Sequence, residues 1–235
     1  MEDELAIDHT VYTVDLLGCG RSDKSSITYT NFVYVQMISD FIKKIIGQKT
    51  DVIASGFSGS FVTMACHNEK ELFNKIMLVN PPSLTQLKQM PNRKDRLLKA
   101  ALEIPIFGTL VYHMIVSRDN INNLFIEKMY YNPFHVDNQM ADAYYEAAHK
   151  GGYYTRFLYS SLAAKYININ ICHALKALDN SIYIVEGETE PNGKAVTDDY
   201  CASNPAIEVS VLKETKHLPH VEAPEAFLEQ VKIFF

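Results

Sequence analysis

The sequence predicts an α/β protein with a mostly parallel sheet, flanking helices and an inserted helical cap. Short runs rich in β-branched and apolar residues alternate with segments of helical apolar periodicity in residues 1–81, and the strand pattern returns in residues 179–235. Residues 82–178 differ, because they contain tyrosine-rich and methionine-containing segments of helical period and few strand signals. We therefore predict a core formed by residues 1–81 and 179–235, with residues 82–178 inserted as the cap.

The first elements alternate between strand and helix. Val11–Leu17 is rich in β-branched and apolar residues and stops at Gly18-Cys19-Gly20, which predicts a buried strand followed by a turn. Apolar residues recur at helical spacing from Phe32 to Ile45, and Gly47 stands where a helix would end. Asp51–Ser55 follows as a second strand. This order predicts a parallel pair joined by a crossover helix.

The remaining strands frame the cap. Lys75–Asn80 is strand-like and is closed by Pro81-Pro82, and the pattern resumes at Ser181–Glu186 and Ile207–Leu212. Pro224–Phe235 has the spacing of a closing helix. Because ligands bind at the carboxyl edge of a parallel sheet, an insertion between two of its strands is expected to cover the binding site.

Tyrosines of the cap have two interpretations. They could line a pocket for a small, partly apolar substrate, or they could pack the cap helices on one another and on the core. We favour the second at roughly two to one, because aromatic side chains commonly pack helices onto each other and onto a core. The five residues are Tyr144, Tyr145, Tyr153, Tyr154 and Tyr159.

Charge and cysteine usage exclude several classes of protein. The formal net charge of −6 and the absence of a basic run give no electrostatic footprint for nucleic acid or an anionic membrane. No apolar stretch reaches the roughly 18 residues that span a bilayer, and the acidic start of the chain is unlike a signal peptide. Four dispersed cysteines without a C-x-x-C pair suit reduced thiols. We expect a cytoplasmic protein.

A glycine-rich turn suggests a catalytic serine. In TDVIASGFSGSFVT an apolar run ends in Gly56-Phe57-Ser58-Gly59-Ser60, and an apolar-periodic segment follows at once. A strand that stops in a tight turn and restarts as a helix is typical of a nucleophile elbow. We predict Ser58 at its apex as the nucleophile, with the Gly59 amide directed at developing negative charge. An ordinary glycine-rich turn explains the same residues about equally well.

Partners for a serine nucleophile lie near the C-terminus. Serine needs a base within hydrogen-bond reach and an acid to orient that base. His217 follows the last predicted strand, and Glu190 lies three residues beyond the turn at Gly187, after another strand. Both loops belong at the same sheet edge as Ser58. Asp198 and Glu188 remain alternatives for the acid.

Three ordered motifs resemble the α/β-hydrolase superfamily almost from end to end. DLLGCGRSDK is similar to its D-x-x-G-x-G-x-S loop, GFSGS to its elbow, and HLPHVEAPEAF to its histidine loop and last helix. The resemblance implies a serine hydrolase acting on a small ester or related acyl substrate, without cofactor or metal. Ser58 falls on the nucleophile, His217 on the base, Glu190 on the acid and Gly59 on an oxyanion amide. Ser60 replaces the last elbow glycine, and Glu190 stands where Asp is more usual.

A further departure concerns the start of the chain. Family members carry an earlier strand ending in His-Gly, whose loop supplies a second oxyanion amide, and this sequence begins after that point. We expect weakened activity or a chain that begins late. The alternative is a non-catalytic ligand-binding protein on the same scaffold. A gap in the sheet would also leave a strand edge on which a homo-oligomer could form.

Overall fold

The computed structural model describes residues 2–136 and 138–235 and contains one parallel sheet of four strands, ordered β1-β2-β3-β4. The strands are β1 Thr50–Ser55, β2 Phe73–Val79, β3 Ile182–Gly187 and β4 Glu208–Leu212. The strands lie side by side in the order in which they occur in the chain, so the connections between successive strands lie on the same face of the sheet. The α/β class and the parallel sheet are confirmed.

Register places the carboxyl ends of the strands at one edge. Ser55 pairs with Val79, Val79 with Val185, and Gly187 with Leu212. All six residues of β3 are buried, whereas β1 and β4 at the sheet edges are largely exposed. The central strands are therefore covered on both faces, as near-continuous apolar runs in a parallel sheet require.

Helices make up most of the remaining structure. The α-helices are α1 Glu2–Leu5, α2 Asn31–Phe41, α3 Phe57–Asn68, α4 Leu84–Leu87, α5 Arg93–Glu103, α6 Phe107–Ile115, α7 Arg118–Leu124, α8 Asn138–His149, α9 Thr155–Ala163, α10 Cys172–Ala177, α11 Gly193–Ser203, α12 Pro219–Glu222 and α13 Pro224–Phe234. Short π-helical turns continue α2 and α7, at Ile42–Ile46 and Phe125–Met129, and 3-10 turns occur at Lys70–Leu72, Pro133–His135 and Gly152–Tyr154. The predicted crossover helix ends at Gly47, whose φ of 71° is the left-handed helix stop.

Alternate residues of the central strands enter two apolar cores. Ile76, Leu78 and Ile184 belong to the larger core, which α2, α3, α10 and α11 cover. Val79 and Val185 belong to the smaller core on the other face, which α13 covers. Because side chains alternate along a strand, one sheet supports both cores. This packing fixes the strand ends and the loops that follow them.

The first predicted strand is wrong. Residues 11–17 have no strand assignment, and Val11, Tyr12 and Val14 are exposed. A strand of this composition is stable only beside a hydrogen-bonded neighbour, and no described segment pairs with the outer edge of β1. The segment instead packs locally, since Tyr34 donates a hydrogen bond to the Leu17 carbonyl at 3.0 Å.

The connection from β2 to β3 is helical, as the sequence predicts. In its described residues it contains α4 to α10 and no strand. It also contacts the loop after β4: the Lys216 ammonium donates to the Glu127 carbonyl at 2.6 Å, and the His217 amide donates to the Met129 carbonyl at 3.1 Å. The helical connection is therefore joined to the loop that carries the predicted base.

Within the described residues, no single helix has the length and apolar character needed to cross a bilayer. The pair α5 and α6 reaches that threshold only when taken together, and the two helices meet at 98°.

Candidate active site

Gly56 occupies the apex of the strand-to-helix turn. β1 ends at Ser55 and α3 begins at Phe57, and Gly56 between them has φ 58° and ψ −132°. Few residues other than glycine adopt this region without strain. The Gly56 amide donates to the Val79 carbonyl at 2.9 Å, which fastens the turn to the end of β2. The chain thus has the backbone of an elbow, centred on a residue without a side chain.

Ser58 does not lie at the apex, so that part of the prediction is wrong by two residues. It is the second residue of α3, and its hydroxyl donates to the Ser55 carbonyl at 2.7 Å. Gly59 differs from the prediction too, because its amide donates to the Gly56 carbonyl at 3.1 Å. An amide engaged in the helix is a poor oxyanion donor.

The spacing of small residues in this segment allows the elbow apex at either residue 56 or residue 58. An elbow needs small residues two positions before and two after the apex, and Ala54 and Ser58 satisfy this rule around Gly56 as well as Gly56 and Ser60 do around Ser58. The positive φ selects between the two alignments, since glycine tolerates it and serine does so only with strain. Gly59 has a packing role, because a Cβ there would lie 3.1 Å from Leu78 Cδ2.

His217 and Glu190 are in contact. His217 Nδ1 lies 3.1 Å from Glu190 Oε1, and the two side chains are 34% and 20% exposed. Both residues stand on loops beyond the carboxyl ends of strands, Glu190 after β3 and His217 after β4. A carboxylate beside Nδ1 favours the tautomer with hydrogen on that nitrogen, which leaves the Nε2 lone pair to accept a proton.

The alternative acids are engaged elsewhere. Asp198 forms an ion pair with Lys194 on the exposed surface of α11, and Glu188 accepts a hydrogen bond from the Glu214 amide at 2.9 Å. Of the three candidate carboxylates, Glu190 is the one hydrogen-bonded to His217. Glutamate in place of aspartate is therefore compatible with an oriented imidazole.

Asn80 links the strand ends to the histidine loop, and our sequence analysis missed it. Its side-chain amide donates to the carbonyls of Lys216 and His217 at 2.8 and 3.0 Å, and its oxygen accepts from the Gly187 amide at 3.0 Å. Asn80 is 5% exposed and has φ 42°. An asparagine between a strand and Pro81-Pro82 is a detectable signal, because asparagine tolerates positive φ and bonds neighbouring backbone.

Glu222 also binds the loop that carries His217, through its carboxylate group. One carboxylate oxygen accepts from the Lys216 amide at 2.7 Å and the other from the Tyr131 amide at 2.6 Å. These bonds connect the histidine loop to the helical connection between β2 and β3. Hydrogen bonds to a charged acceptor are among the stronger ones in proteins. His217 is consequently held through its backbone on two sides.

A cavity of about 370 Å³ opens at the carboxyl ends of β1, β2 and β3. Gly56 and Phe57 line it from the elbow, and His217 and Glu190 line it from the opposite loops. Ser58 is not among its lining residues. The other lining residues are Asn80, Pro81, Pro82, Ser83, Gln86, Glu186, Pro191, Asn192, Gly193, Val196 and Thr197. A carbonyl compound in this cavity would lie between the imidazole and the first turn of α3.

Glu186 brings a second carboxyl group to the cavity. It is 5% exposed, and burial raises its pKa, an effect that the Thr197 hydroxyl opposes and the nearby Glu190 carboxylate reinforces. Its Oε2 has no hydrogen-bond partner among the described residues. Gly193 makes room for it, since a Cβ there would lie 2.0 Å from Glu186 Oε1.

The predicted tyrosines divide between packing and cavity lining. Tyr144 and Tyr159 line a separate cavity of about 570 Å³ beside the loop at residues 18–20, and Tyr153 borders another. Tyr144 also packs edge-on against Phe125, with ring centroids 4.9 Å apart. None of the five lines the cavity that contains His217.

A family model matches most of this sequence. The model described as the alpha/beta hydrolase family matches residues 2–230. The chain belongs to the alpha/beta hydrolase family. The hydrolase-family assignment made from the three motifs is thereby confirmed. Among curated proteins, none matches this sequence.

Solved alpha/beta hydrolases share the fold at low identity. A carboxylesterase from Nitrososphaera gargenis is 16% identical with a TM-score of 0.67, over 94% of this chain and 77% of the other. 2-Hydroxy-6-oxo-6-phenylhexa-2,4-dienoate hydrolase from Rhodococcus sp. strain RHA1 is 16% identical with a TM-score of 0.71, over 94% of this chain and 78% of the other. A bromoperoxidase from Bacillus anthracis is 11% identical with a TM-score of 0.71, over 94% of this chain and 79% of the other. At these identities the likeness concerns the fold, which these proteins use for different reactions.

Proposed function

We propose that this alpha/beta hydrolase cleaves a small ester or related acyl compound in the cavity between Gly56 and His217. The observation that carries the proposal is the 3.1 Å contact of His217 Nδ1 with Glu190 Oε1 at the carboxyl edge of the sheet. An imidazole oriented by a carboxylate is a general base suited to neutral pH. The hydrolase family and the esterase among its structural neighbours support this reaction class.

Each group at the cavity has a distinct role. His217 accepts the proton of the attacking nucleophile at Nε2 and returns it to the leaving group, while Glu190 stabilises the intermediate imidazolium. The amides of Phe57 and Ser58 lie in the first turn of α3 and have no acceptor within the helix. Together with the helix dipole they favour negative charge on the carbonyl oxygen.

The predicted Ser-His-Glu triad is one form of this proposal. Ser58 would serve as nucleophile if its hydroxyl left the Ser55 carbonyl and reached His217. The side chain is half-buried in the first turn after the elbow, so this form requires the Ser58 hydroxyl to move into a cavity that it does not line. In this form an acyl group would be transferred first to Ser58 and then to water.

The test measures hydrolysis of p-nitrophenyl acetate and p-nitrophenyl butyrate by the purified chain. We expect turnover that falls on the order of 10²–10⁴-fold in His217→Asn, because a general base contributes about that much. His9→Gln is the matched control, because His9 is exposed and distant in sequence from His217, and this variant should keep full activity. A correctly folded protein that hydrolyses neither ester, or whose His217→Asn variant is fully active, would contradict the proposal.

A ligand-binding protein is the second candidate, and the lack of a side chain at the elbow apex favours it. In that case the cavity would bind the less reactive amide analogue N-(4-nitrophenyl)acetamide while neither ester was turned over. Isothermal titration calorimetry measures the binding directly. Binding of the amide combined with esterase activity that depends on His217 would instead support the enzyme.

A further inference from the structure

We propose that Gly56 marks the nucleophile position of the site, and that a water molecule held over this glycine attacks the acyl carbon directly. This inference rests on the proposed hydrolase function and names its nucleophile. The reaction would then proceed in one displacement, with no serine ester. His217 would act on water rather than on Ser58.

Backbone geometry identifies position 56. The apex of an elbow is the residue with the strained, positive φ between a strand and the following helix, and Gly56 has this conformation with φ 58° and ψ −132°. A Cβ built on Gly56 meets no atom within 4 Å. A side chain, or a small molecule in its place, therefore fits without displacing protein atoms.

Position 56 faces the base, whereas position 58 does not line the same space. Gly56, Glu190 and His217 border one cavity, and Ser58 is not among the residues that line it. The bond from Ser58 Oγ to the Ser55 carbonyl at 2.7 Å also directs its hydroxyl proton back at the end of β1.

The chemical step balances without another reactant. Water forms a bond from its oxygen to the carbonyl carbon, and one of its protons moves to His217 Nε2. The carbonyl π electrons move to the oxygen, which the amides of Phe57 and Ser58 stabilise. When the intermediate collapses, the bond to the leaving oxygen breaks and that oxygen takes the proton from His217. The products are a carboxylic acid and an alcohol, and the enzyme is unchanged.

Installing a hydroxyl at the apex tests the position. Gly56→Ser would place a side chain within the cavity that His217 lines, so we expect labelling by a fluorophosphonate probe at position 56, located by peptide mass spectrometry. Gly56→Ala is the matched control, with the same backbone strain and no hydroxyl, and should remain unlabelled. A folded Gly56→Ser protein that resists the probe would overturn the assignment. This readout does not need native turnover, so it separates this inference from failure of the proposed function.

The native chain supplies the second test, which does not depend on the folding of a variant at position 56. We expect no fluorophosphonate labelling of Ser58 and no burst of p-nitrophenol before steady state. Labelling of Ser58, a stoichiometric burst, or a loss above tenfold in Ser58→Ala would establish the serine route and overturn the water mechanism. His217→Asn should abolish labelling of the Gly56→Ser protein, since the hydroxyl then lacks its base.

Discussion

Asn80 Nδ2 donates a hydrogen bond to the His217 carbonyl at 3.0 Å, which ties the end of β2 to the residue we assign as the base. The same nitrogen donates to the Lys216 carbonyl at 2.8 Å, and Asn80 Oδ1 accepts from the Gly187 amide. One buried side chain thus connects β2, the end of β3 and the histidine loop. The orientation of His217 depends on contacts made at a strand remote in sequence.

Replacement of Asn80 should reduce both stability and activity. Asn80→Asp keeps the shape but removes both N–H donors, leaving two carbonyls in the protein interior without their partner. Each unsatisfied buried group costs about 1–3 kcal/mol. We expect a loss of about 2–4 kcal/mol in the free energy of unfolding, measured in urea, together with lower ester turnover.

The Asn80→Gly variant separates the effect of losing the side chain from the effect of backbone strain. Glycine adopts the φ of 42° at this position without strain, so the loss in this variant comes from the hydrogen bonds and packing of the side chain and from the greater entropy of glycine in the unfolded chain. An Asn80→Asp protein with wild-type stability and turnover would show that the histidine loop does not need this anchor.

Glu190→Gln should lower turnover by on the order of 10²-fold or more while the protein remains folded, because a neutral amide neither fixes the tautomer of His217 nor stabilises its cation. Glu188→Gln and Asp198→Asn are controls, as these carboxylates bond elsewhere. Larger losses in either control than in Glu190→Gln would reassign the acid.

Glu186 should make stability depend on pH. Burial raises its pKa in the folded protein, so the folded state favours the neutral carboxyl group. The stabilisation is present below the unfolded pKa of about 4.3 and is lost as pH rises through the higher folded pKa. Glu186→Gln cannot ionise, so its stability relative to wild type should rise as the pH increases above the unfolded pKa of about 4.3.

Urea unfolding at several pH values measures this difference for Glu186→Gln, which should be larger at neutral pH than at about pH 4. Glu208→Gln, at an exposed position on β4, is the control and should show no such trend. If the Glu186→Gln difference stayed constant with pH, the buried carboxyl would not be a source of the dependence.

Gly187→Ala should disturb the histidine loop more than Gly59→Ala disturbs the elbow helix. A Cβ on Gly187 would lie 1.9 Å from the Lys216 carbonyl oxygen, whereas a Cβ on Gly59 would meet the end of the Leu78 side chain at 3.1 Å. The Lys216 backbone can avoid the new Cβ only if the loop that carries His217 moves. We expect Gly187→Ala to lose about 1–3 kcal/mol of stability and most turnover.

Gly59→Ala should keep most of its turnover, because the added Cβ approaches only the end of the Leu78 side chain, which can move aside. Thermal unfolding and ester kinetics of the two variants provide the comparison. Equal effects in Gly187→Ala and Gly59→Ala would show that the histidine loop tolerates the displacement.

Local sequence determined much of the architecture. The strands β1 to β4 and the closing helix lie where apolar runs and helical spacing predict them, because burial in a parallel sheet selects those patterns wherever they occur. The order of strand ends also predicted that loops bearing Glu190 and His217 belong to one edge, and the two residues are in contact.

Tertiary structure decided the rest. Val11–Leu17 has the composition of a strand, but without a neighbour to share its hydrogen bonds it remains irregular. The elbow pattern admits an apex at residue 56 or 58, and only the backbone, fixed by the bond from Gly56 to Val79, selects the glycine. Composition is a local property, whereas pairing and the placement of an apex depend on partners distant in sequence, so the sequence alone left these two points open.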